Sequence, residues 1–160
     1  MTRVLTGQIA LAYDDAGSGT AVVLIHGYTL DRRMWDDQRP ALLNVGYRVL
    51  RYDLRGHGES DAPPTGYHEL DHAEDLARLC DLLGIASAHI VGVSLGGGVA
   101  ATFAGRYPQR VRSLTLIDAV LPGARFGEEM TAILRAMRAR ALAGDLAGAL
   151  HDEWAKSRLM

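Results

Sequence analysis

Apolar positions along the chain fall into two alternating rhythms. Residues 21 to 25 (Ala-Val-Val-Leu-Ile) are apolar without a break, the pattern of a strand covered on both faces. Tyr47 to Asp53, His89 to Val93 and Ser113 to Ile117 read as further strands. Residues 8 to 13 alternate more loosely and run into Asp14-Asp15-Ala16-Gly17-Ser18-Gly19, which reads as the turn-rich exit of a hairpin. Between these segments the period becomes helical. Asp71 to Leu83 carries Ala73, Leu76, Leu79, Cys80 and Leu83 at helical spacing, with Asp71 and Glu74 as an N-terminal cap and Gly84 as a stop. Leu95 to Arg106 is a second helix, halted near Pro108. Strands alternating with helices predict an α/β fold: a doubly wound, mostly parallel sheet with right-handed crossovers and helices on both faces.

After Pro122 the rhythm changes. Residues 128 to 143 and 145 to 156 read as two amphipathic helices, with Met130, Ile133, Leu134 and Met137 in one and Leu146, Leu150 and Trp154 in the other. No strand pattern follows, and there is no internal repeat. The expected division is a sheet core over residues 1–122 and a helical segment over 123–160.

Composition narrows the class. The 160 residues suit one domain with a real core, and 48% hydrophobic with 22% charged residues describes an ordinary globular chain. A net charge of −2 gives no pull toward nucleic acid or an anionic membrane. No apolar run is long enough to span a bilayer, and the start lacks the apolar core of a signal peptide, so a cytoplasmic location is expected. The single cysteine, Cys80, excludes an internal disulfide and lies on a predicted apolar stripe as a small buried hydrophobe.

The chemistry concentrates at Gly92-Val93-Ser94-Leu95-Gly96, a G-x-S-x-G sequence with a strand before it and a helix after it. A nucleophile at the tip of a sharp strand-to-helix turn sits in strained backbone geometry, so its neighbours two residues away must lack bulk. Such a turn also aims the first helical N–H groups, Leu95's included, at the place where an oxyanion would form. Gly96, Gly97 and Gly98 are unfavourable in a helix by propensity, and close packing against neighbouring backbone would account for them. The bland alternative is a glycine-rich turn that needed a small polar residue. The strand–turn–helix setting favours catalysis.

Three segments together, VVLIHGYTLDRRMW (22–35), RYDLRGHGESDAP (51–63) and HIVGVSLGGGVA (89–100), resemble the α/β-hydrolase fold family. The branch they resemble is that of small esterases, enol-lactonases and cofactor-free haloperoxidases, and the likeness covers residues 8 to 120. It implies that Tyr28, after His26 and Gly27, supplies one backbone donor of an oxyanion hole and Leu95 the other. Dehalogenases and epoxide hydrolases of this fold carry aspartate where this chain has Ser94, so acyl transfer to a hydroxyl from a small ester or lactone is the expected chemistry. No cofactor or metal is called for.

The histidines weigh differently. His26 in the His-Gly loop is expected to hold that loop by hydrogen bonds, and His57, between Gly56 and Gly58, to be structural. His68 and His72, four apart among Glu69, Asp71 and Asp75, have metal-ligand spacing but no specified third ligand. The arginines at 135, 138 and 140 read as a solvated helix face. Asp118 ends a strand at the carboxyl edge where open α/β sheets place their sites, which makes it a candidate triad acid beside the reading that it caps a turn. The resemblance puts a triad histidine after the acid, yet the sole histidine downstream of Ser94 is His151, inside a predicted helix.

Three readings stay open. The first is the amino-terminal part of a serine hydrolase, ending inside a helical lid and lacking its base. The second is a non-catalytic binding module that kept the turn. The third is an enzyme that borrows a histidine from another chain. On the first, the strand at Ser113 to Ile117 offers an unsatisfied edge, so self-association or binding of a complementing carboxyl-terminal half is expected.

Overall fold

In the computed structural model, which describes residues 2–150 and 152, the uninterrupted apolar run is β3 (Ala21–Ile25), buried at every position. Its neighbours explain why. β4 (Arg48–Tyr52) pairs with it in parallel on one side and β5 (Ala88–Val93) in parallel on the other. β2 (Ala10–Ala16) joins β4 antiparallel, β1 (Thr2–Leu5) joins β2, and β6 (Val111–Ile117) joins β5 in parallel. The sheet order is β1-β2-β4-β3-β5-β6.

Because side chains alternate across a strand, β3 feeds two cores. Val23 and Ile25 pack with Leu50, Tyr52, Leu76 and Phe103 on the face carrying α2 (Glu69–Leu82) and α3 (Leu95–Arg106). Val22 and Leu24 pack with Val49, Trp35 and Leu43 on the face carrying the 3₁₀ turn Arg32–Trp35 and α1 (Gln38–Asn44). Helices thus cover both faces of a mostly parallel sheet, the α/β class expected from the pattern.

Local details depart from the pattern. Asp14, Asp15 and Ala16 are strand residues of β2 and not a turn, because β4 sets arginines against the acids. Arg51 Nε lies 3.0 Å from Asp14 and Arg48 Nη2 lies 2.6 Å from Asp15. The cap of α2 is His68, whose backbone N–H donates to Asp71 at 2.9 Å in a capping box, so the helix begins two residues before Asp71. β1 and the segment 32–44 carried no sequence signal strong enough to read.

The chain divides into two units, Met1–Pro122 and Gly123–Met160. In the second, α4 (Glu128–Leu142) places Glu128 and Glu129 in its first turn, where the helix dipole favours them. Arg135 and Arg138 are exposed, whereas Arg140 is partly buried and pairs with Asp145 at 2.6 Å and Asp152 at 3.1 Å. A short turn of helix, α5 (Leu146–Gly148), follows. The rest of the expected 145–156 helix, with His151 and Trp154, lies outside the described residues apart from 149, 150 and 152. Among the described residues no strand follows β6.

The glycines of the Ser94 turn are fixed by contact. A Cβ on Gly96 would lie 2.4 Å from the His26 carbonyl oxygen, and one on Gly92 would lie 2.2 Å from the Gly96 carbonyl oxygen. On Gly97 it would meet Ala119 Cβ at 2.4 Å, and on Gly98 the Val120 carbonyl oxygen at 2.3 Å. Gly105, further along α3, meets nothing within 4 Å. Gly96→Ala is therefore expected to destabilise by about 2–3 kcal/mol through overpacking against backbone. Gly105→Ala should stabilise by roughly 0.5–1 kcal/mol through helix propensity. Urea midpoints of the two variants check this; equal effects would contradict it.

Candidate active site

The strand order creates one crevice. β3 leads to β4 on one side while β5, its neighbour on the other side, leads to β6 in the opposite direction. Adjacent strands whose connections diverge leave a cleft beyond their carboxyl ends, where open α/β sheets bind ligands. The residues there are His26 to Leu30 after β3 and Ser94 after β5. Ser94 is half-buried. A Cβ built on Gly27 would sit 3.5 Å from Ser94 Cβ, so the two loops touch.

Ser94 itself has φ 51° and ψ −116°, a backbone state that costs a non-glycine residue on the order of 1–3 kcal/mol. Four main-chain hydrogen bonds hold it there. Its N–H donates to the Ile117 carbonyl at 2.9 Å, and its carbonyl accepts from Gly97, Gly98 and Val120 at 3.0, 3.2 and 3.1 Å. Leu95 is the first residue of α3, so its N–H is one of the helix's unpaired amino-terminal donors.

His26 is fully buried between the loops. Its Nε2 accepts from the Leu54 N–H at 3.0 Å, which makes Nδ1 the donor to the Gly27 carbonyl at 2.8 Å. That carbonyl also accepts from the Leu30 N–H at 3.3 Å, closing a turn with Thr29 at φ 62°. Positive φ at the third residue is what a type II turn requires. The loop-holding role expected for His26 is what the geometry provides. Tyr28, 45% exposed, heads this turn with its ring edge-on to His57 at 5.9 Å.

A second anchor was missed by sequence reading. Asp53, completely buried at the end of β4, accepts from the Arg32 N–H at 2.7 Å, from Arg32 Nη1 at 2.5 Å and from the Glu59 N–H at 2.9 Å. Arg32 also reaches Glu59 at 2.5 Å and Asp14 at 3.3 Å. The far end of the His26–Asp31 loop is thereby tied to the loop after β4. Arg55, one residue past Leu54, forms a bidentate pair with buried Asp75, both bonds 2.7 Å. The arginine–aspartate spacing across three loops left no pattern in the sequence.

The other sequence candidates separate. The His57 ring packs at a tilt against His26, 5.1 Å between centroids, and its Nδ1 donates to the Arg55 carbonyl at 3.1 Å, a loop-shaping contact. His68 caps α2 and is exposed, while His72 points into the core, so the pair serves two different environments. His89 lies 2.7 Å from Ser113 Oγ across the β5–β6 pair, away from the crevice. Asp118 follows β6 at φ 45°, between the two residues whose main chains bond to Ser94, so the structure brings its backbone beside the serine. Cys80 is buried in the core, which pushes its thiol up to about 12. A cavity of about 640 Å³ opens elsewhere, between Gly7, Arg55, Pro63 and Arg78, and does not include Ser94. No helix of the described residues is long and apolar enough to cross a membrane.

A half-buried serine held at positive φ where a doubly wound sheet reverses its strand order defines an α/β protein built around a hydroxyl-bearing strand-to-helix turn. The model of the α/β hydrolase fold matches residues 20–141, and the chain belongs to that family. It is 43% identical over 114 residues to a non-heme chloroperoxidase of Streptomyces lividans, a match covering 69% of this chain and 41% of the relative. A solved thermophilic esterase from Thermogutta terrifontis superposes with a TM-score of 0.78 at 37% identity, covering 88% of this chain and 53% of that one. A bromoperoxidase from Bacillus anthracis superposes with a TM-score of 0.79 at 33% identity, covering 89% and 56%. The chain thus spans less than half of the curated relative and just over half of the two solved chains.

Burial lowers both His26 and His72 to about 4, with Arg55 and His57 adding to the effect at His72. Each is neutral when folded and titrates near 6.5 when unfolded. Between pH 6.5 and 4 the unfolded chain binds more protons, so the stability these histidines contribute is complete above pH 6.5 and is lost as pH falls toward 4. Asp75, whose carboxyl burial raises, works in the opposite sense. The comparison with a variant isolates the histidine. His72→Phe should lose about 2–3 kcal/mol less than wild type between pH 7.5 and 4.5 in urea unfolding. Parallel profiles would refute the assignment.

Proposed function

We propose that this is a serine hydrolase acting on a small carboxylic ester or lactone through an acyl-enzyme on Ser94, without a cofactor. The observation that carries this reading is the strained Ser94 backbone at the crevice, which four main-chain hydrogen bonds and the close glycine contacts around it maintain. Strain of this kind persists where the surrounding structure over-determines it, as at reactive groups. The esterase neighbour supports the substrate class.

In this mechanism Ser94 Oγ attacks the ester carbonyl and gives up its proton as the C–O bond forms. The carbonyl oxygen becomes an oxyanion, stabilised by the N–H groups of Tyr28 and Leu95. Collapse expels the alcohol, which takes up the proton, and leaves the acyl group on Ser94. Water then repeats the sequence and frees the acid. For a lactone the alcohol stays tethered to the same product. Asp118 is the proposed acid, lying beside the serine.

The proton acceptor is the open position. His26, His57, His68, His72 and His89 each serve a loop, a cap, the core or a strand pair, so we assign the base to none of them. With no base positioned among the described residues, turnover should fall by several powers of ten. Added imidazole should partly replace the base. Fluorophosphonate labelling and ester hydrolysis are expected to be slow, to accelerate with imidazole, and to vanish in Ser94→Ala. Labelling that survives Ser94→Ala would sink the nucleophile assignment.

A further inference from the structure

At the β1–β2 edge of the sheet, opposite β6, lies the cavity of about 640 Å³ that no step of the proposed reaction uses. Its volume falls within the range of about 300–1,000 Å³ typical of small-molecule sites. The whole lining comes from between residues 6 and 78, inside the first unit. Buried Thr6 and Ile9 belong to the turn that joins β1 to β2, and Pro63 and Pro64 to the loop that precedes α2.

Two arginines complete the lining, and they are in opposite states. Arg55 is fully engaged. Both arms of its fork bond buried Asp75 at 2.7 Å, and Nη1 also donates to the Gly66 carbonyl. Its charge is cancelled where it stands. Arg78 is half exposed along its side chain, and its bonds to the Thr6 carbonyl and to Glu74 are both 3.3 Å. That is longer than a normal N–H···O bond, and a guanidinium has several further donors to offer. An exposed i,i+4 pair such as Glu74–Arg78 is among the weakest of ion pairs and yields readily to a competing anion.

The main chain beside each arginine is glycine for a steric reason. Gly7 and Gly66 have φ of 92° and 85°. A Cβ on Gly7 would sit 2.8 Å from Arg78 Nη1, and one on Gly66 would sit 2.5 Å from Arg55 Nη1. Each guanidinium therefore lies directly against bare main chain, in a place that any side chain at these positions would take from it.

We propose that this cavity is a second binding site, for a small monocarboxylate with a flat apolar body, and that Arg78 is its anion partner. This inference goes beyond the catalytic reading and does not depend on it. The planar fork of an arginine matches a carboxylate with two parallel hydrogen bonds. Pro63, Pro64 and Ile9 supply apolar surface for the body of the ligand, and a few polar groups then fix its orientation. The charges select a single negative charge. Asp75 neutralises Arg55, so Arg78 is the cation of the lining with donors open, and Glu74 beside it repels a second negative charge.

The test uses the 160-residue chain, with benzoate as the probe. Titration followed through the backbone amide signals should move Gly7, Gln8, Thr65 and Gly66 together, saturating with a Kd of about 1 mM or below. Benzamide, the same ring without the charge, should bind at least ~10-fold more weakly. Phenyl phosphate, doubly charged above neutral pH, should also bind more weakly than benzoate. Two substitutions at half-exposed positions should pull in opposite directions. Arg78→Gln should weaken benzoate at least ~10-fold, and Glu74→Gln should tighten it about two-fold by freeing the fork. A merely structural role for Arg78 predicts no such opposition. Absence of saturation, shifts confined to residues 94–97, equal affinity for benzamide, tighter binding of phenyl phosphate, or two variants that change affinity in the same direction would each overturn the proposal.

Discussion

Everything near the crevice follows from how closely the backbone of residues 92–98 approaches its neighbours. The start of α3 lies against the His26 carbonyl on one side and against Ala119 and Val120 on the other, at distances that exclude any side chain larger than hydrogen. That contact bends the chain sharply at Ser94. It also brings Ser94 within bonding distance of both Ile117 and Val120. Three glycines in a helix oppose helix formation by roughly 1 kcal/mol each; here they permit a helix to begin where a side-chain-bearing sequence would collide.

The crevice is held from its flanks by charge. Asp53 and Asp75 are buried acids: Asp53 is matched to Arg32 and also accepts from the Arg32 and Glu59 N–H groups, and Asp75 is held by both arms of Arg55. Such pairs add little net stability over apolar packing, but removing one partner strands the other in low dielectric at a cost of about 3–5 kcal/mol. They specify geometry more than they strengthen the fold. Arg32 and Asp53 fix the far end of the loop that begins at His26, and His26 fixes the near end. The turn at Tyr28 lies between two clamps.

The central strands and α3 were legible because β3 is wholly apolar, β4 and β5 are apolar at most positions, and α3 begins at a motif with its own steric logic. The Ser94 turn could be read for the same reason: its glycines are local in sequence. What escaped was set by partners distant along the chain. Asp14 and Asp15 resemble turn residues until Arg48 and Arg51 stand opposite them. The Arg32–Asp53 clamp spans 21 residues and leaves no periodic trace. His68 lost the cap to Asp71 in the reading because histidine is a rare cap, although the reciprocal bond to Asp71 was present in the spacing.

The position of β3 also sets the order in which the sheet can assemble. It is the third strand in the chain but sits in the interior of the sheet, and neither of its partners precedes it in sequence. β4 begins 23 residues after β3 ends, and β5 begins 63 after. As the chain leaves the ribosome, an entirely apolar strand therefore waits unpaired while its first neighbour is made, and waits again for its second. Non-local pairing of this kind is slow, and strands exposed during the wait are prone to aggregate. The same feature that gives the fold its buried centre leaves that centre open to misassociation until both neighbours have been made.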